Sequence, residues 1–283
     1  MWPMSSFSFL RLPSALLLLG LLSACASKAV VHMPNVEVAD KPVAISAPQE
    51  APVVSLPQVV NVRARKAQFF DMLRPFVQTE NRRIMKVRKR MLELSRKADR
   101  KTNPYSPEEM DSIYPLAAKY RVELSDNPDA AFWALLLKRL DKVPLELALA
   151  QAANESAWGT SRFARDGNNY FGQWCYKEGC GMVPARRNAG STHEVKVFSS
   201  ATESVRAYIY NLNTSTAYKR LRSLRKHMRR SGVKLNATLL AGGLSTYSER
   251  GAGYVKSIRV LIRHNHALML QKRPEIRTVQ AGK

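Results

Sequence analysis

Acidic side chains are scarce in this chain of 283 residues, because 22 Asp and Glu stand against 45 Lys and Arg, a formal net charge of +23. The positive excess favours polyanionic partners such as nucleic acid, anionic lipid or an acidic polymer, without choosing among them. Apolar residues are not scarce: they make up 45% of the chain, which excludes wholesale disorder. The length allows one domain of ordinary size with appendages, or two small ones.

The N-terminus lacks an apolar run long enough to span a bilayer comfortably. One basic residue, Arg11, precedes a short apolar run and then small residues, an order typical of a secretory signal rather than of a membrane helix. The run ends in LSAC at residues 22–25, which resembles a bacterial lipobox. This resemblance implies a lipoprotein signal peptide over residues 1–24, with cleavage before Cys25 and lipidation of that cysteine. A plain signal peptide with an incidental cysteine is the alternative.

The lipid anchor defines the expected location. A lipidated Cys25 attaches the protein to a membrane of the bacterial cell envelope, and Ala26 after it resembles the signal for the outer membrane, facing the periplasm. Nucleic acid is absent from that compartment, so we expect no nucleic-acid partner. The sequence does not identify protein partners.

Cysteine is also scarce, with three residues in the whole chain. If Cys25 carries lipid, Cys175 and Cys180 remain, with four residues between them, in an oxidising compartment. We therefore predict a disulfide that closes the loop between them. A zinc site is the competing interpretation, but His193 is the nearest histidine and too few ligands accompany it. We expect no metal and no cofactor.

The chain contains no internal repeats, and its organisation follows from proline and apolar periodicity. Recurrent prolines predict an extended tether over residues 25–60. Ordered structure is predicted from Asn61, with a helix interrupted or kinked at Pro75. Further helix starts are expected at Ser106, Asp129 and Pro144, and later helices at residues 201–228, 234–244 and 254–271. A short hairpin turning near residues 188–190 is the expected β-structure.

The helix predicted to start at Pro144 carries an acid at the edge of its apolar face. Small and apolar residues form one narrow stripe, and Glu155 lies on its flank, one turn after Gln151. Gly159 is expected to end the helix. Partial desolvation and the negative end of the helix dipole would then both favour the protonated form that a general acid needs. Spacing alone favours an ordinary border charge over such an acid.

The segment around this acid is recognisable. AQAANESAWG at residues 150–159, followed by NNYFG at residues 168–172, resembles the glucosaminidase superfamily, enzymes of glycoside hydrolase family 73 that cut peptidoglycan glycans. GQWCYKEGCGMVPARR and STHEVKVFSSATESVRAYIYNLNT resemble the Bax-type bacterial envelope proteins of that superfamily. The resemblance implies a mainly α, lysozyme-like α+β fold, a helical domain with a small β-hairpin lobe beside the active-site groove. It places a helical extension at residues 61–125 and the catalytic domain at 126–275.

The resemblance also assigns site residues. Glu155 matches the catalytic glutamate, the general acid that protonates the glycosidic oxygen. Tyr254 matches a tyrosine that lines the cleft near the acid. Tyr247 matches the first tyrosine of the same segment, but the two tyrosines are one residue farther apart here than in the family pattern. The remaining matches are expected to bind substrate or form the groove wall: Gln151, Trp158, Asn169, Phe171 and Gly172.

The second catalytic group is left open. Two-carboxylate hydrolysis needs another Asp or Glu, and the β-lobe offers Glu178 and Glu194, with Glu194 favoured. A cross-strand pairing of Glu194 with Lys196 is an equal alternative. The N-acetyl group of the substrate could also act as the nucleophile, in which case no second acid is needed.

The expected function is therefore hydrolysis of the peptidoglycan glycan strand as an endo-β-N-acetylglucosaminidase. A lytic transglycosylase and a non-catalytic wall-binding lipoprotein are the alternatives. Arg186, Arg187 and the basic stretch at residues 218–230 are candidates for binding acidic stem peptides, although a solvated basic surface is the favoured interpretation for most of them.

Overall fold

Helix starts in this protein follow capping residues that the sequence displays. In the computed structural model, which describes residues 61–98, 104–185, 187, 190 and 192–271, Asn61 caps the first helix by accepting from the amide of Ala64 at 3.0 Å. Ser106 and Glu109 form a reciprocal capping box, and Asp129 caps the third helix. The predicted signal peptide, the lipidation of Cys25 and the tether lie outside the described residues.

Nine α-helices and two short 3-10 turns make up most of the described chain. None of these helices combines the length and the apolar character that crossing a membrane requires. The helices are α1 Val62–Ser95, α2 Pro107–Lys119, α3 Ala130–Arg139, α4 Leu145–Glu155, α5 Arg162–Gly167, α6 Ala201–Thr214, α7 Lys219–Arg230, α8 Ala237–Leu240 and α9 Ala252–Leu270, with the 3-10 turns at Thr216–Tyr218 and Ala241–Gly243.

The predicted interruption at Pro75 is wrong, because α1 is one continuous helix of 34 residues that includes this proline, while the alternative of a kink there stays a prediction. Pro75 lies on the exposed face of α1, where water can satisfy the carbonyl that loses its hydrogen bond. The opposite face is buried along the whole helix, through Phe70, Leu73 and Val77 near its start. Packing of this face keeps the helix continuous.

The helix α4 lies at the centre of the core and packs against α1, α8 and α9. Its residues from Leu147 to Ala153 are all buried. Four of these seven are alanines, and their small side chains let neighbouring helices approach closely on several sides. The apolar face predicted for this helix is therefore confirmed, and burial extends around most of its circumference.

The β-lobe is a three-stranded antiparallel sheet, with β1 Trp174–Cys175, β2 Gly181–Met182 and β3 Glu194–Lys196 in the order β1-β3-β2. The predicted mainly α architecture with a small β-structure is confirmed. The predicted hairpin corresponds to β2 and β3, and residues 186, 188, 189 and 191 of its connection lie outside the described residues. The strand β1 is an addition that the sequence did not predict, since two-residue strands carry no periodicity.

The predicted disulfide between Cys175 and Cys180 is confirmed, with a Cα–Cα distance of 6.2 Å. It links β1 to the residue before β2. Both strands pair with β3, and Val195 of β3 is the partner of Trp174 on one side and of Met182 on the other. The disulfide thus fixes the two outer strands of the sheet at one end.

A buried charge cluster joins α1, α3 and α7. Asp141, 2% exposed, accepts from Arg229 at 2.8 and 3.0 Å and lies 3.8 Å from Arg225 and 4.0 Å from Arg88. Burial alone would raise the pKa of Asp141, but the three guanidinium groups outweigh it and lower the pKa. Arg225 belongs to the basic stretch interpreted as a solvated surface, yet it is 1% exposed, because backbone carbonyls at the end of α3 bind its guanidinium.

We predict that Asp141→Asn lowers the free energy of unfolding by about 3–5 kcal/mol, because it leaves buried guanidinium groups without their counter-charge. Urea denaturation at pH 7 measures this, and Asp111→Asn on the exposed face of α2 is the control, with a change below about 0.5 kcal/mol. The pKa of Asp141 is depressed from 3.8, so its stabilisation is present above that value and is lost as the pH falls through the lower folded value. A gap between variant and wild type that stays constant into strong acid would contradict this role.

Candidate active site

The helix α4 ends at Glu155, and the chain then turns sharply. The sequence predicted an end near Gly159, four residues later, so Glu155 is the last helical residue rather than one within the last turn. Gly159 has the expected positive φ of 78°, but Ala157 and Trp158 share this conformation with φ of 50° and 61°. Two non-glycine residues in the left-handed region store strain of roughly 1–3 kcal/mol each.

This strained turn is held by hydrogen bonds and by α1. Ser156 is fully buried, its hydroxyl donates to the Ala152 carbonyl at 2.7 Å, and it accepts from the Gly159 amide at 2.8 Å. The ring of Trp158 packs edge-on against Phe69 and Phe70 of α1, with centroids 5.9 and 5.4 Å away. Trp158 therefore anchors the turn from beneath.

The residue Glu155 is half-buried. On one side its carboxylate faces Gly172, which has no side chain beyond a hydrogen atom. Asn154 Nδ2 donates to Glu155 Oε1 at 3.0 Å. A Cβ atom at Gly172 would lie 3.5 Å from Glu155 Oε2, and Gly172 has φ of 63°. Any other residue there would be strained by this positive φ, and its Cβ atom would lie in van der Waals contact with the carboxylate, so glycine keeps this side of Glu155 open.

Four tyrosines surround Glu155. Burial first, and then the nearby charge of Glu155, raises the pKa of Tyr254. Burial and, among the smaller causes, the charge of Glu155 also raise the pKa values of Tyr208 and Tyr247 well above the ordinary range. The same two causes raise the pKa of Tyr218 to about 12. These hydroxyls are therefore neutral at physiological pH and can donate hydrogen bonds.

A chain of hydrogen bonds runs from the core towards the carboxylate. Tyr208 Oη donates to Gln151 Oε1 at 2.7 Å, and Gln151 Nε2 donates to Tyr254 Oη at 2.9 Å. Because Tyr254 Oη accepts from Gln151, its own proton is free to point at Glu155, whose nearby charge helps to raise the pKa of Tyr254. Gln151 is fully buried and reaches no solvent, and its side-chain amide orients the hydroxyl of Tyr254.

The loop of residues 169–173 packs over this network. The side-chain amide of Asn169 donates to the carbonyls of Gln173 and Lys196 at 2.7 and 2.8 Å. Phe171 stacks on Tyr208 with centroids 3.9 Å apart, and Tyr247 Oη donates to the Phe171 carbonyl at 2.8 Å. Asn169 and Phe171 are each 1% exposed, so their side chains shape the loop instead of contacting a ligand.

Tyr247 and Tyr254 lie together despite their unusual spacing. Their rings stack in parallel, 7° apart in plane, with centroids at 5.4 Å. Tyr247 is half-buried, whereas Tyr254 is 1% exposed. Of the predicted groove residues, Tyr247 and Gly172 thus have surface next to Glu155.

The candidates for a second acid lie in the β-lobe. Glu194 accepts from the amides of Gly179 and Gly181 at 3.1 and 2.7 Å, and these bonds lower its pKa. Its carboxylate thus holds the disulfide loop, which differs from the cross-strand pairing with Lys196 that the sequence allowed. It also lies within 4.8 Å of both cysteine sulfurs, but the disulfide leaves no thiolate for a metal. Glu178 is exposed in the same loop.

Sequence reasoning missed Tyr208 and Tyr218. Tyr208 lies on the buried face of α6, and helical periodicity predicts only that it points inward. Its meeting with Gln151 joins residues 57 positions apart, a contact for which a single sequence carries no signal. Asn154 was visible beside Glu155 but was not assigned a role.

Two comparisons with known proteins agree with this geometry. Residues 132–267 match the glucosaminidase family model, described as mannosyl-glycoprotein endo-beta-N-acetylglucosaminidase. The chain is 32% identical over 205 residues to Protein bax of Escherichia coli strain K12, an alignment that covers 72% of this chain and 71% of the relative. No solved structure matches the chain.

The family match spans Glu155, all four surrounding tyrosines and the β-lobe. It supports a glycoside hydrolase-type enzyme. The chain belongs to the glucosaminidase superfamily, among its Bax-type proteins.

Proposed function

We propose that this protein hydrolyses the glycan strands of peptidoglycan as an N-acetylglucosaminidase, with Glu155 as the general acid. The observation that carries the proposal is the position of Glu155 at the end of α4, half-buried, with Gly172 on one side and Tyr254 on the other. A general acid for glycoside hydrolysis must reach the glycosidic oxygen, and the open side at Gly172 leaves the carboxyl group of Glu155 accessible to a substrate.

The tyrosine network has a defined part in this proposal. Tyr254, oriented by Gln151, donates a hydrogen bond to Glu155 and stabilises the carboxylate that forms once the proton has left. Glu155 gives that proton to the glycosidic oxygen as the bond to the anomeric carbon breaks and the sugar gains oxocarbenium character. Because the tyrosines stay neutral, they bring no charge that competes with the acid.

We assign the nucleophile to the substrate. The carboxylate of Glu194 is held by two loop amides, so its role is to shape the β-lobe. In the proposed mechanism the carbonyl oxygen of the N-acetyl group attacks the anomeric carbon as the leaving sugar accepts the proton from Glu155. Water then opens the cyclic intermediate and returns a proton to Glu155.

Lytic transglycosylation is the second candidate, favoured by the same use of one glutamate. In that reaction a hydroxyl of the sugar itself replaces water and leaves a 1,6-anhydro end. Mass analysis of sacculus digests separates the two reactions, because hydrolysis yields reducing ends. We expect reducing ends, and a digest composed of anhydro ends would overturn the hydrolase assignment.

The proposed substrate also fits the proposed location. Peptidoglycan lies in the bacterial cell envelope, where a lipid on Cys25 would attach the protein to the outer membrane facing the periplasm. Arg187 and, in the basic stretch, Lys219, Arg220 and Arg230 are exposed and suit the acidic stem peptides of this polymer. Arg186 lies outside the described residues. A lipid-modified N-terminal peptide starting at Cys25 in mass spectrometry supports this anchoring, and an unmodified Cys25 argues against it.

Replacing the acid tests the core of the proposal. Glu155→Gln should reduce glycan cleavage about 10²- to 10⁴-fold, because the amide cannot donate the proton. Purified protein is assayed on sacculi by release of soluble fragments. Glu146→Gln, in the first turn of the same helix, is the matched control and should keep its activity. Cleavage by the Glu155 variant at the wild-type rate would remove Glu155 from the mechanism.

Glu194→Gln distinguishes a structural carboxylate from a catalytic one. The variant keeps one oxygen acceptor for the loop amides, so we expect activity to fall by less than about tenfold, well below the loss expected for a catalytic acid or base. Glu178→Gln in the same loop is the control. If Glu194→Gln loses as much activity as Glu155→Gln at an unchanged melting temperature, Glu194 is the second catalytic acid.

A further inference from the structure

The β-lobe exposes large aromatic side chains that the site around Glu155 does not use. Trp174 is 52% exposed and Tyr176 is 75% exposed. Trp174 opens β1, and Tyr176 follows this strand directly. Neighbouring exposed aromatic residues of this size indicate an interaction surface rather than a core.

The indole ring of Trp174 has one covered face and one free face. It stacks on the imidazole of His193 with centroids 4.0 Å apart and planes within 9°. With this face covered, the exposure of the side chain falls on the opposite face and the edges. His193 thus fixes the tilt of the ring, and a flat apolar surface points to solvent.

The backbone on both sides of Trp174 is fixed. Before it, the Gln173 carbonyl accepts from Asn169 Nδ2 at 2.7 Å and from the Lys196 amide at 2.9 Å. After it, Cys175 is tied to Cys180 by the disulfide. A ring held in place in the free protein loses little conformational entropy when a ligand binds.

Trp174 is also close to the proposed general acid. A Cβ atom at Gly172 would lie 3.5 Å from Glu155 Oε2, and Trp174 follows two residues later. Two residues of chain span at most about 7 Å, so the Cα atom of Trp174 lies within about 12 Å of the Glu155 carboxylate. A few consecutive sugar rings cover that distance.

We propose that the free face of Trp174 is a stacking platform for a sugar ring of the bound glycan, at a position removed from the bond that is cut. The inference rests on the proposed function. The C–H groups on one face of a pyranose ring form a flat apolar surface that matches an indole face, and aromatic side chains supply such contacts at low entropic cost. The platform is continuous with the loop that carries Gly172, so one glycan strand can contact both.

The platform explains why the β-lobe is braced so heavily. Glu194, the disulfide and Asn169 all restrain the segment that contains Trp174. A platform placed this way binds the uncharged sugar backbone. It would hold the strand in register while Glu155 acts on a neighbouring linkage.

Binding is measured on the full chain carrying Glu155→Gln, so that turnover does not consume the ligand. The probe is a series of soluble N-acetylglucosamine oligomers, titrated by calorimetry. Adding Trp174→Ala should weaken binding about five- to tenfold, whereas Trp174→Phe, which retains an aromatic face, should stay within about threefold. Leu124→Ala, whose side chain is also 52% exposed but lies between α2 and α3, should leave affinity unchanged.

Kinetics with an intact Glu155 show whether Trp174 acts in glycan binding or in the chemical step. Trp174→Ala should raise the KM for glycan and leave kcat within about twofold, because the ring lies away from the reacting bond. Unchanged KM and unchanged oligomer affinity in this variant overturn the platform while leaving the hydrolase proposal intact. Oligomer binding that depends on Trp174 in a protein that cleaves no glycan supports the platform and overturns the hydrolase proposal.

A second measurement needs no substitution at Trp174. Mild oxidation of tryptophan in the Glu155→Gln chain should modify the exposed Trp174 faster than the buried Trp133 and the half-buried Trp158. Saturating oligomer should slow this oxidation several-fold, as read from peptide masses. Protection that is absent at saturation, or that oligoalanine peptides produce equally well, contradicts a sugar platform.

Discussion

The ending of α4 at Glu155 is the constraint on which the site depends. The helix is buried on nearly all sides through its alanines, and its last residue must leave the core with a carboxylate at the surface. A regular helix would carry the chain onward, so Ala157 and Trp158 take left-handed conformations to turn it. The strain of this turn is balanced by the Ser156 hydrogen bonds and by the packing of Trp158 on α1. Helix end, strain and aromatic support form one unit.

The support from α1 gives the N-terminal helix a part in the active site. The predicted boundary between an extension and a catalytic domain at residue 125 stays a prediction, and the matched family region starts only at residue 132. Yet Phe69 lies within 3.1 Å of where a Cβ atom at Gly159 would be. Any side chain at Gly159 would press on that ring. A chain that began at the family region would leave the underside of Trp158 without its two phenylalanine neighbours.

Sequence patterns predicted the parts of this structure that local chemistry controls. The helix starts at Asn61, Ser106 and Asp129, the apolar face of α4 and the disulfide all follow from residues close together in the chain. Contacts between distant segments were not predictable in this way. The chain of Tyr208, Gln151 and Tyr254 and the arginine cluster around Asp141 each join several helices. In both cases the sequence showed the residues but not their partners. For the basic stretch of α7, charge alone led to the prediction of a solvated surface, although Arg225 is buried.

The scarcity of acids bears on the mechanism as well as on the partners. Asp141 is committed to three arginines, and Glu194 is committed to two loop amides. Each of these carboxylates is stabilised in its ionised form, with a lowered pKa, which suits a structural anion and not a proton donor. Glu155 has a different setting, half-buried at the end of α4 and beside neutral tyrosines. In the proposed mechanism the second group comes from the N-acetylated glycan, which carries it on the carbon next to the reacting one. On this proposal the braced β-lobe contributes by holding such a glycan rather than by supplying another carboxylate.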